Sequence, residues 1–380
     1  MPKLLIVTTV PIVIVNFLMP FAAHFRKIGW QVDAMSSGFT VDDPCHQSFD
    51  RLWEVQWSRN PFNPRNLIGT PGKIREIVLR EQYDIIHVHT PVAAFVLRYA
   101  LKDVRKQIAA KIIYTAHGFH FHIGGKPFTN AAFLALEKLA RHWMDYLIVI
   151  NLEDRDAVLK YKLVPPERSR YMAGIGVDLQ YYNRDMVSDA SVTALRQELG
   201  IGAQTPLLLS VAELNANKRH VDLLGAFAKL ARTDVHFAFV STGPLRAKIE
   251  QLAIELGVLG RIHFLGRRSD IPVLMKAATA NILVSGREGL PRTILESLAL
   301  EVPTVGTKVR GTQDLLAGCY GLLIDVGDVV SLTAAIDWIL DRPEEANNMA
   351  KRGREHIANY DLNCIIKCHE ELYAEAMALK

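Results

Sequence analysis

The sequence predicts an α/β protein built from two doubly wound domains, each with a parallel sheet. Short apolar runs alternate with helical stretches in the first half of the chain, and the same rhythm starts again in the second half. Runs this continuously apolar are typical of strands that are covered by helices on both faces. The chain of 380 residues also exceeds what one hydrophobic core usually supports. Two such domains would face each other across a cleft.

The first domain is predicted over residues 1 to 180. Segments 64 to 81 and 128 to 143 have the length and composition of helices. The strand candidates are LLIVTTV, QVDAMSS, LWEVQW, IIHVHT, KIIYTAHG and YLIVIN. Ligands of such sheets bind beyond the carboxyl ends of the strands, so the residues that follow each strand are the ones to inspect.

The second domain is predicted over residues 200 to 355. Its strand candidates are PLLLSVAEL, VHFAFVSTG, RIHFLG, ANILVSG, PTVGTKV and GLLID, separated by helical segments that include 219 to 231, 244 to 257 and 291 to 300. Residues 179 to 205 are polar without a strong apolar period, which indicates the region of the linker. Residues 356 to 380 form a closing helix.

The uncharged stretch from residue 4 to residue 23 follows Lys3 and has two interpretations. It could be a signal peptide or a membrane span. Against this, Pro11 and Pro20 divide it into a short strand, a loop and a helix. QVDAMSS then continues in phase as the next strand, so we expect the first strand of the domain here.

Charge and cysteine content exclude some classes of partner. The net charge of +4 is not gathered into one arm or stripe, so we expect no nucleic-acid partner. A local basic cluster between Lys102 and Lys111 is either the solvated end of a helix or a patch for anionic lipid. The four cysteines include no CxxC pair, which fits a reduced cytoplasm.

The segment ILVSGREGLPRTILESLA is the most informative part of the sequence. It predicts a strand, a turn and a helix that opens at Pro291, where a missing N–H costs nothing. Amides from Gly289 through Leu290 onward, with the helix dipole, would bind a phosphate group. Glu288 lies at the lip of this site, and Glu296 lies roughly 8 Å along the helix axis from Pro291. One carboxylate would take sugar hydroxyls and the other a ribose diol.

Each carboxylate taken alone has a simpler explanation. Glu288 could complement the helix N-terminus, and Glu296 could be a solvated helix position. As a pair, however, they resemble the EX7E signature of family 4 glycosyltransferases of the GT-B fold.

The resemblance covers nearly the whole chain. It is carried by VTTVP, DIIHVHTP, YTAHGFHFH, NLEDRDAV, GIGVDL, AELNANKRH, STGPLRAKIE, the EX7E segment and GLLIDVGD. The sequence is similar to a bacterial branch that builds capsule, exopolysaccharide or O-antigen units, many members of which extend polyprenyl-diphosphate-linked sugars. The resemblance implies a closing helix that returns to the first domain, and sugar transfer with retention of configuration and without metal or other cofactor.

The same resemblance assigns the cations of the donor site. Lys218 is expected to pair with the donor diphosphate, although a lysine here could also be an ordinary surface residue. Many members carry an arginine five residues earlier, where this chain has Glu213, so Arg219 or backbone amides would have to assist. The glycine usual after the EX7E helix is replaced by Glu301.

Two further segments acquire roles by resemblance. Gly243 and Pro244 follow a strand and would approach the nucleotide with their backbone, although a plain tight turn explains them equally well. His117 would face the donor sugar and diphosphate. Nearby histidines suggest zinc, but no cysteine or acidic ligand accompanies them, so we expect no metal.

The acceptor side is predicted at the apolar loop after the first strand. Residues there could meet a lipid-linked acceptor at the membrane surface, or could belong to a buried first helix. The residues chosen are Val10, Pro11 and Phe17.

Taken together, these observations predict a retaining glycosyltransferase. Its donor would be a nucleotide sugar, UDP-linked, with an N-acetylhexosamine as one candidate sugar, and its acceptor a polyprenyl-diphosphate-linked or other saccharide. The location would be cytoplasmic, with contact to the inner membrane surface. The rival functions are a nucleotide-sugar epimerase on the same fold and a non-catalytic nucleotide-sugar-binding protein.

Overall fold

The computed structural model describes residues 1–58, 60 and 63–378, and the chain divides into two compact units. The first unit comprises Met1–Ile175 and the C-terminal segment from Asn363 onward, and the second comprises Gly176–Leu362. Residues 179 to 205, where the sequence predicts a linker, therefore lie inside the second unit. They include the helix Asp189–Glu198, which Ser188 caps and which packs beside the helix Ile271–Ala277.

The first unit contains a seven-stranded parallel sheet in the order β3-β2-β1-β4-β5-β6-β7. All six predicted strands are present, and a short seventh strand extends the sheet. The strands are β1 (Lys3–Val7), β2 (Gln31–Ser36), β3 (Arg51–Glu54), β4 (Ile85–Val88), β5 (Lys111–Ala116), β6 (Tyr146–Val149) and β7 (Ser169–Tyr171). The interior strands β4 and β6 are buried at every position, as expected for strands covered on both faces.

Helices connect these strands and cover both faces of the sheet. They are α1 (Pro11–Val13), α2 (Met19–Lys27), α3 (Cys45–Ser48), α4 (Thr70–Glu81), α5 (Pro91–Leu101), α6 (Pro127–Ala140) and α7 (Leu152–Tyr161). Three short 3₁₀ turns cover Pro64–Asn66, Arg141–Trp143 and Pro166–Arg168. No described helix is both long enough and apolar enough to cross a membrane.

The predicted loop after β1 is wrong, because the chain is helical from Pro11 to Lys27. Between α1 and α2 the helix widens into a π-helical segment, Ile14–Leu18. Proline at position 20 cannot donate to the carbonyl four residues earlier and would crowd it, so a wider turn just before Pro20 accommodates it. Leu18 and Phe21 are almost fully buried.

The C-terminal helix, labelled α16 (Leu362–Ala378), belongs to the first unit, as the sequence predicts. Its Tyr373 ring packs 5.0 Å from the Phe25 ring of α2. Glu375 accepts hydrogen bonds from Arg170 Nη2 at 2.6 Å and from the Tyr146 hydroxyl at 3.0 Å. These contacts fix α16 against β6, β7 and α2.

The second unit contains a six-stranded parallel sheet in the order β10-β9-β8-β11-β12-β13. The strands are β8 (Leu207–Val211), β9 (His236–Val240), β10 (Ile262–Gly266), β11 (Ala280–Leu283), β12 (Thr304–Thr307) and β13 (Leu322–Ile324). Every predicted strand of this half is present, with shorter bounds. With the first sheet, this confirms the predicted pair of doubly wound sheets.

Helices connect the strands of the second unit, and three of them are shorter than their predicted ranges of 219 to 231, 244 to 257 and 291 to 300. The helices are α8 (Asp189–Glu198), α9 (His220–Phe227), α10 (Arg246–Glu255), α11 (Ile271–Ala277), α12 (Arg292–Ala299), α13 (Arg310–Leu316), α14 (Val329–Asp341) and α15 (Pro343–His356). Four short 3₁₀ turns cover Arg184–Met186, Ala216–Lys218, Leu259–Arg261 and Ile357–Tyr360.

The turn after α12 keeps its tight form without glycine. Glu301 takes a left-handed conformation, with φ of 55°. The amide of Val302 donates to the carbonyl of Ser297 at 2.9 Å, closing the helix end. A left-handed residue other than glycine costs roughly 1 kcal/mol or more, which the surrounding turn offsets.

Candidate active site

The turn between β11 and α12 is fixed by close contacts with neighbouring loops. The amide of Gly286 donates to the carbonyl of Asn217 at 2.7 Å, and the Asn217 side chain donates to the carbonyl of Arg287 at 3.0 Å. On the other side, Gly311 packs so tightly against the carbonyl of Gly289 that no Cβ fits at position 311. The turn is therefore held in one conformation.

The helix α12 begins one residue later than the sequence predicts. Pro291 is the N-cap residue, with an extended backbone (φ −75°, ψ 111°), and the first helical residue is Arg292. The Pro291 carbonyl already accepts from the amide of Ile294 at 3.1 Å, which is the role of an N-cap. The amide row of Gly289 and Leu290 still leads into the positive end of the helix dipole.

Lys218 and Glu288 meet beside this turn. Lys218 Nζ lies 2.5 Å from Glu288 Oε1, and the two side chains are only 20% and 12% exposed. Lys218 ends a 3₁₀ turn that Asn215 caps, since the Asn215 side chain accepts from the Lys218 amide. The ammonium group predicted for a diphosphate thus lies at the same point as the carboxylate predicted for the sugar.

Three arginines lie close to this pair in the sequence or the structure, and they differ in the partners that their side chains contact. Arg219 is bound to Asp222 through Nε and Nη2 at 2.5 and 3.1 Å, so its charge is already neutralised. Arg310 is almost buried, and its Nε donates to the backbone carbonyl of Glu288 at 2.9 Å. Arg287 forms no side-chain ion pair in the part of the chain that the structure describes. Its pKa is lowered by burial and by the charge of Arg310, and raised again by Glu288.

Glu296 is buried rather than solvated, which excludes the simpler explanation of this residue. It is 7% exposed and lies in α12. The Tyr182 hydroxyl donates to Glu296 Oε1 at 2.7 Å, and Arg292 Nε lies 2.9 Å from the same oxygen. Burial raises the pKa of this carboxyl, and the charge of Arg292 lowers it. A buried carboxylate with fixed partners can accept two hydroxyl groups in a defined geometry.

Two buried hydroxyl groups beside the β11–α12 turn lack a hydrogen-bond partner among the described residues. Ser285 Oγ and Thr293 Oγ1 are buried and make no hydrogen bond among the described residues. An unsatisfied buried hydroxyl costs free energy of about 1–3 kcal/mol. A phosphate oxygen at the start of α12 would satisfy such donors.

Gly243 and Pro244 follow β9, as predicted, but the close approach of Gly243 is made to this chain itself. A Cβ at position 243 would lie 2.5 to 2.7 Å from backbone atoms of Leu214. The amide of Leu245 also donates to the carbonyl of Leu214 at 2.9 Å. Glycine is therefore required here to pack two loops together, and contact of this segment with the nucleotide stays a prediction.

His117, which is partly exposed, forms an array with three buried histidines of the first unit, His87, His89 and His369. His117 Nε2 lies 3.3 Å from His89 Nδ1, and the His87 and His89 rings are 4.0 Å apart. The ring of His369, on α16, packs 5.5 Å from that of His87. His87 is held by the Thr115 hydroxyl at 2.7 Å and by the Tyr373 hydroxyl at 2.5 Å. The array therefore joins the carboxyl ends of β4 and β5 to the C-terminal helix.

The histidine array is electrically neutral. Burial lowers the pKa of each ring, and for His117 and His369 the value falls to about 4. No carboxylate hydrogen-bonds to these four rings among the described residues. Within the same residues, no three His, Cys, Asp or Glu side chains are arranged to hold a metal ion. The ring nitrogens are instead engaged with each other, with hydroxyls and with a backbone carbonyl.

The predicted acceptor residues lie at the start of the helical segment after β1. Pro11 is buried, and Val10 and Phe17 are partly exposed. The Val10 carbonyl accepts from the Thr8 hydroxyl at 2.9 Å. Rings of α2 pack on α16, including Phe21 against His369 at 5.0 Å. Much of this segment is thus internal structure rather than an open apolar loop.

Several residues near the carboxyl ends of the strands in the two sheets were not predicted from sequence. Tyr182 lies 114 positions before its partner Glu296, and no local pattern marks it. Arg287 and Arg310 carry no recognisable spacing, and the one sequence signal for Arg287 is that it directly precedes Glu288. On the first unit, Thr9 and Thr90 share a hydrogen bond at 2.6 Å beyond the ends of β1 and β4.

Two family models together match most of the chain. Residues 14–180 match the model described as Glycosyltransferase Family 4, and residues 191–356 match the model described as Glycosyl transferases group 1. EpsD of Bacillus subtilis, which carries the name of a glycosyltransferase, is 30% identical to this chain, over 99% of this chain and 97% of its own length.

Other relatives are more distant. The Escherichia coli UDP-Gal:alpha-D-GlcNAc-diphosphoundecaprenol alpha-1,3-galactosyltransferase is 25% identical over 75% of this chain and 73% of its own length. Among solved structures, Anabaena HepE in complex with UDP and glucose superposes with a TM-score of 0.83 at 19% identity, over 99% of this chain and 100% of that one. The fold of the two units is therefore that of the GT-B enzymes, and by sequence the chain belongs to glycosyltransferase family 4.

Proposed function

We propose that this glycosyltransferase transfers a sugar from a UDP-linked donor, with retention of anomeric configuration, to a lipid-linked or other saccharide acceptor. The observation that carries the proposal is the Lys218–Glu288 pair at the start of α12, followed by the buried Glu296. A carboxylate paired with a cation, then a row of amides, then a second carboxylate fit a diphosphate flanked by a sugar and a ribose.

The donor diphosphate would bind to the amides of Gly289 and Leu290 and to Lys218. To reach it, Lys218 would exchange its contact with Glu288 for a phosphate oxygen. That exchange would free the Glu288 carboxylate for the sugar hydroxyls. Glu296, held by Tyr182, would accept the ribose diol.

A second cation is needed because the leaving diphosphate gains negative charge as the glycosidic bond breaks. Arg219 is a poor candidate because Asp222 already neutralises it. Arg287 is the better candidate, since it lies on the turn itself and has no ion pair of its own among the described residues. Arg310 would hold the turn through the Glu288 carbonyl.

The chemistry would need stabilisation of the leaving group more than a strong base. The diphosphate would accept the proton of the acceptor hydroxyl as the new bond forms on the same face. His117, neutral at pH 7 because its pKa is lowered to about 4, would offer a hydrogen bond to the donor rather than a charge. We infer that turnover needs neither metal nor another cofactor.

The acceptor proposal draws on the relatives. The E. coli relative carries the name of an enzyme that acts on a diphosphoundecaprenol-linked sugar. A similar acceptor would place this chain on the cytoplasmic side of a membrane. Its role would be the synthesis of a bacterial surface polysaccharide.

The direct test is product analysis with a panel of UDP- and GDP-linked sugars and a polyprenyl-diphosphate-linked sugar acceptor. We expect a mass increase of one sugar unit, with an α linkage from an α-linked donor by nuclear magnetic resonance. Activity in excess EDTA should equal that in its absence. Conversion of UDP-N-acetylglucosamine without acceptor would indicate an epimerase instead, and binding without product would indicate a non-catalytic protein.

A further inference from the structure

The helix α6 is apolar yet mostly uncovered. Of its fourteen residues, PFTNAAFLALEKLA, only Ala140 is buried. Phe128 is 88% exposed and Leu139 is 55% exposed, and Ile123, in the turn before the helix, is 84% exposed. Large apolar side chains this exposed and this close together indicate an interaction surface.

The exposed side chains form a stripe along one side of the helix. Phe128, Ala131, Ala132, Ala135 and Leu139 are all exposed and recur at intervals of three or four residues. Residues at this spacing share one helix face.

The opposite face of α6 is the one that packs on the unit. The Phe133 ring lies 4.8 Å from that of His120, and Glu137 pairs with the buried Arg98 at 3.0 Å. The Asn130 side chain donates to the carbonyl of His122 at 2.8 Å, which fixes the turn that carries Ile123 beside the first helical turn. The exposed stripe is therefore a second apolar face rather than a misoriented core face.

Positive charge accompanies the stripe. Lys126 and Lys138 are exposed at the two ends of α6, and Arg141 follows the helix. The single acidic residue of the helix, Glu137, is neutralised by Arg98. Beyond the C-terminal end of α6, Lys102 Nζ lies 4.5 Å from the Tyr99 ring and 5.8 Å from the Trp143 ring. Apolar side chains edged by lysines and aromatic rings are typical of helices that lie in a membrane interface.

We propose that the α6 stripe, defined as Ile123, Phe128, Leu139 and the alanines between them, docks the first unit on an anionic lipid bilayer. A second copy of the chain fits this surface less well, because a symmetric contact would place the lysines of one copy against those of the other. The choice of lipid as partner is consistent with the proposed lipid-linked acceptor, but the surface itself is argued from α6 alone. The sequence left open whether residues 10 to 23 meet a membrane or belong to a buried first helix, and the proposal places the membrane contact at α6 instead.

The test is cosedimentation of the full chain with vesicles of equal parts phosphatidylglycerol and phosphatidylcholine, without donor or acceptor. The wild type should bind these vesicles and bind pure phosphatidylcholine vesicles weakly. The double variant Ile123→Ser/Phe128→Ser should lose about tenfold or more in partitioning, since two large apolar side chains no longer enter the interface. Lys126→Gln/Lys138→Gln should lose about fivefold per lysine on anionic vesicles only.

Matched controls change equally exposed residues elsewhere on the same unit. Val41 is 92% exposed, so Val41→Ser should bind vesicles like the wild type. Lys27→Gln controls for loss of one exposed lysine. UDP affinity and the thermal midpoint of every variant should equal those of the wild type, which shows that the variants fold.

Three results would overturn the proposal. The wild type could remain in the supernatant with anionic vesicles, or the Ile123→Ser/Phe128→Ser variant could sediment as well as the wild type. Light scattering could show a dimer that this variant abolishes, which would assign the stripe to a second copy. None of these readings depends on UDP binding, so failure of the donor-site proposal would be seen separately.

Discussion

The carboxyl ends of the two sheets carry opposite kinds of chemistry. In the first unit, the partly exposed His117 lies beside the buried His87, His89 and His369, and the lowered pKa of each ring keeps it neutral near pH 7. In the second unit, charge is concentrated at one turn, which we call the charged edge. It comprises Lys218, Glu288, Arg287 and Arg310. Both edges arise from the same strand, loop and helix pattern. The difference shows that the doubly wound fold fixes where a site lies, while the residues after each strand decide its chemistry.

The contrast also separates the tasks that each edge can perform. Neutral imidazoles can position hydroxyl groups without attracting a diphosphate. The paired charges can bind a diphosphate, because their partners can be exchanged for phosphate oxygens. The four predictions below test this division, from the largest expected effect to the smallest.

The largest effect should be acid destabilisation of the first unit. In the folded state the pKa of His117 and of His369 is lowered to about 4, mainly by burial. The unfolded chain therefore binds more protons below pH 6.5, and stability falls as the pH decreases from about 6.5 toward 4. The slope should be roughly 1.4 kcal/mol per pH unit for each histidine that stays neutral. Below about pH 4 these histidines no longer contribute a slope.

Tryptophan fluorescence is a suitable measurement because Trp30, Trp53, Trp57 and Trp143 lie in the first unit and Trp338 is the only tryptophan in the second. Denaturant titrations at pH 6.5 and 5 should show the loss. In His369→Gln the unfolding free energy should depend less steeply on pH, because the contribution of one histidine to the slope is removed. Equal unfolding free energies at both pH values would contradict a neutral buried array.

The second prediction concerns Glu288 in the charged edge. Glu288→Ala should lower turnover on the order of a hundredfold, as when a positioned polar group is lost at the reacting centre. UDP affinity should stay within about threefold, because the substitution also removes the carboxylate that competes for Lys218. Initial rates and calorimetry with UDP measure the two effects.

The control for Glu288 is Glu288→Gln, which keeps the shape and removes the charge. It should show a similar loss of turnover with unchanged UDP affinity. If Glu288→Ala lost UDP binding as severely as activity, the residue would instead organise the turn whose carbonyl Arg310 holds.

The sequence predicts which residues follow the strands of the two sheets, but it does not predict which side chains contact each other there. The EX7E spacing placed Glu288 and Glu296 on one turn and helix, because helical geometry over eight residues is local. Lys218 followed from resemblance. The contact between Lys218 and Glu288 spans 70 positions, and the contact between His87 and Tyr373 spans 286, so no periodicity reports either.

The errors in the sequence reading have similar causes. The two prolines predict a loop before the helix, but the π-helical segment before Pro20 lets the chain stay helical from Pro11 onward. The polar composition of residues 179 to 205 predicts a linker, yet a short helix forms there and docks on the second unit through the buried Leu195 and through ion pairs of Asp189 and Glu198. The replacement of the usual glycine by Glu301 left the tightness of the turn open from sequence, and the structure keeps the turn because Glu301 adopts a left-handed conformation. In each case tertiary packing outweighs local propensity.

The third prediction separates the ribose contact from the phosphate contact. Glu296→Gln should weaken UDP binding by about 1–3 kcal/mol, or roughly 5- to 150-fold, because a charged hydrogen-bond acceptor is lost. Wild-type protein should also bind 2′-deoxyuridine diphosphate more weakly than UDP, and Glu296→Gln should not discriminate between the two. Tyr182→Phe removes only the hydroxyl that orients Glu296, so its loss should be smaller. Discrimination that survives in Glu296→Gln would place the ribose elsewhere.

The smallest effect should come from the second cation, and it tests whether the charged edge binds phosphate through Arg287 or Arg219. Arg287→Gln should weaken UDP about tenfold, the value of one charge-assisted hydrogen bond, and leave the affinity for uridine unchanged. Arg219→Gln is the matched control, because Asp222 already holds that guanidinium at 2.5 Å. Calorimetry with UDP and uridine at low and high salt should show that Arg287→Gln also reduces the salt dependence, since one phosphate contact is lost. The opposite ranking, with Arg219→Gln weaker than Arg287→Gln, would mean that Arg219 leaves Asp222 when the donor binds. The charged edge would then exchange two ion pairs, those of Lys218 and Arg219, rather than one.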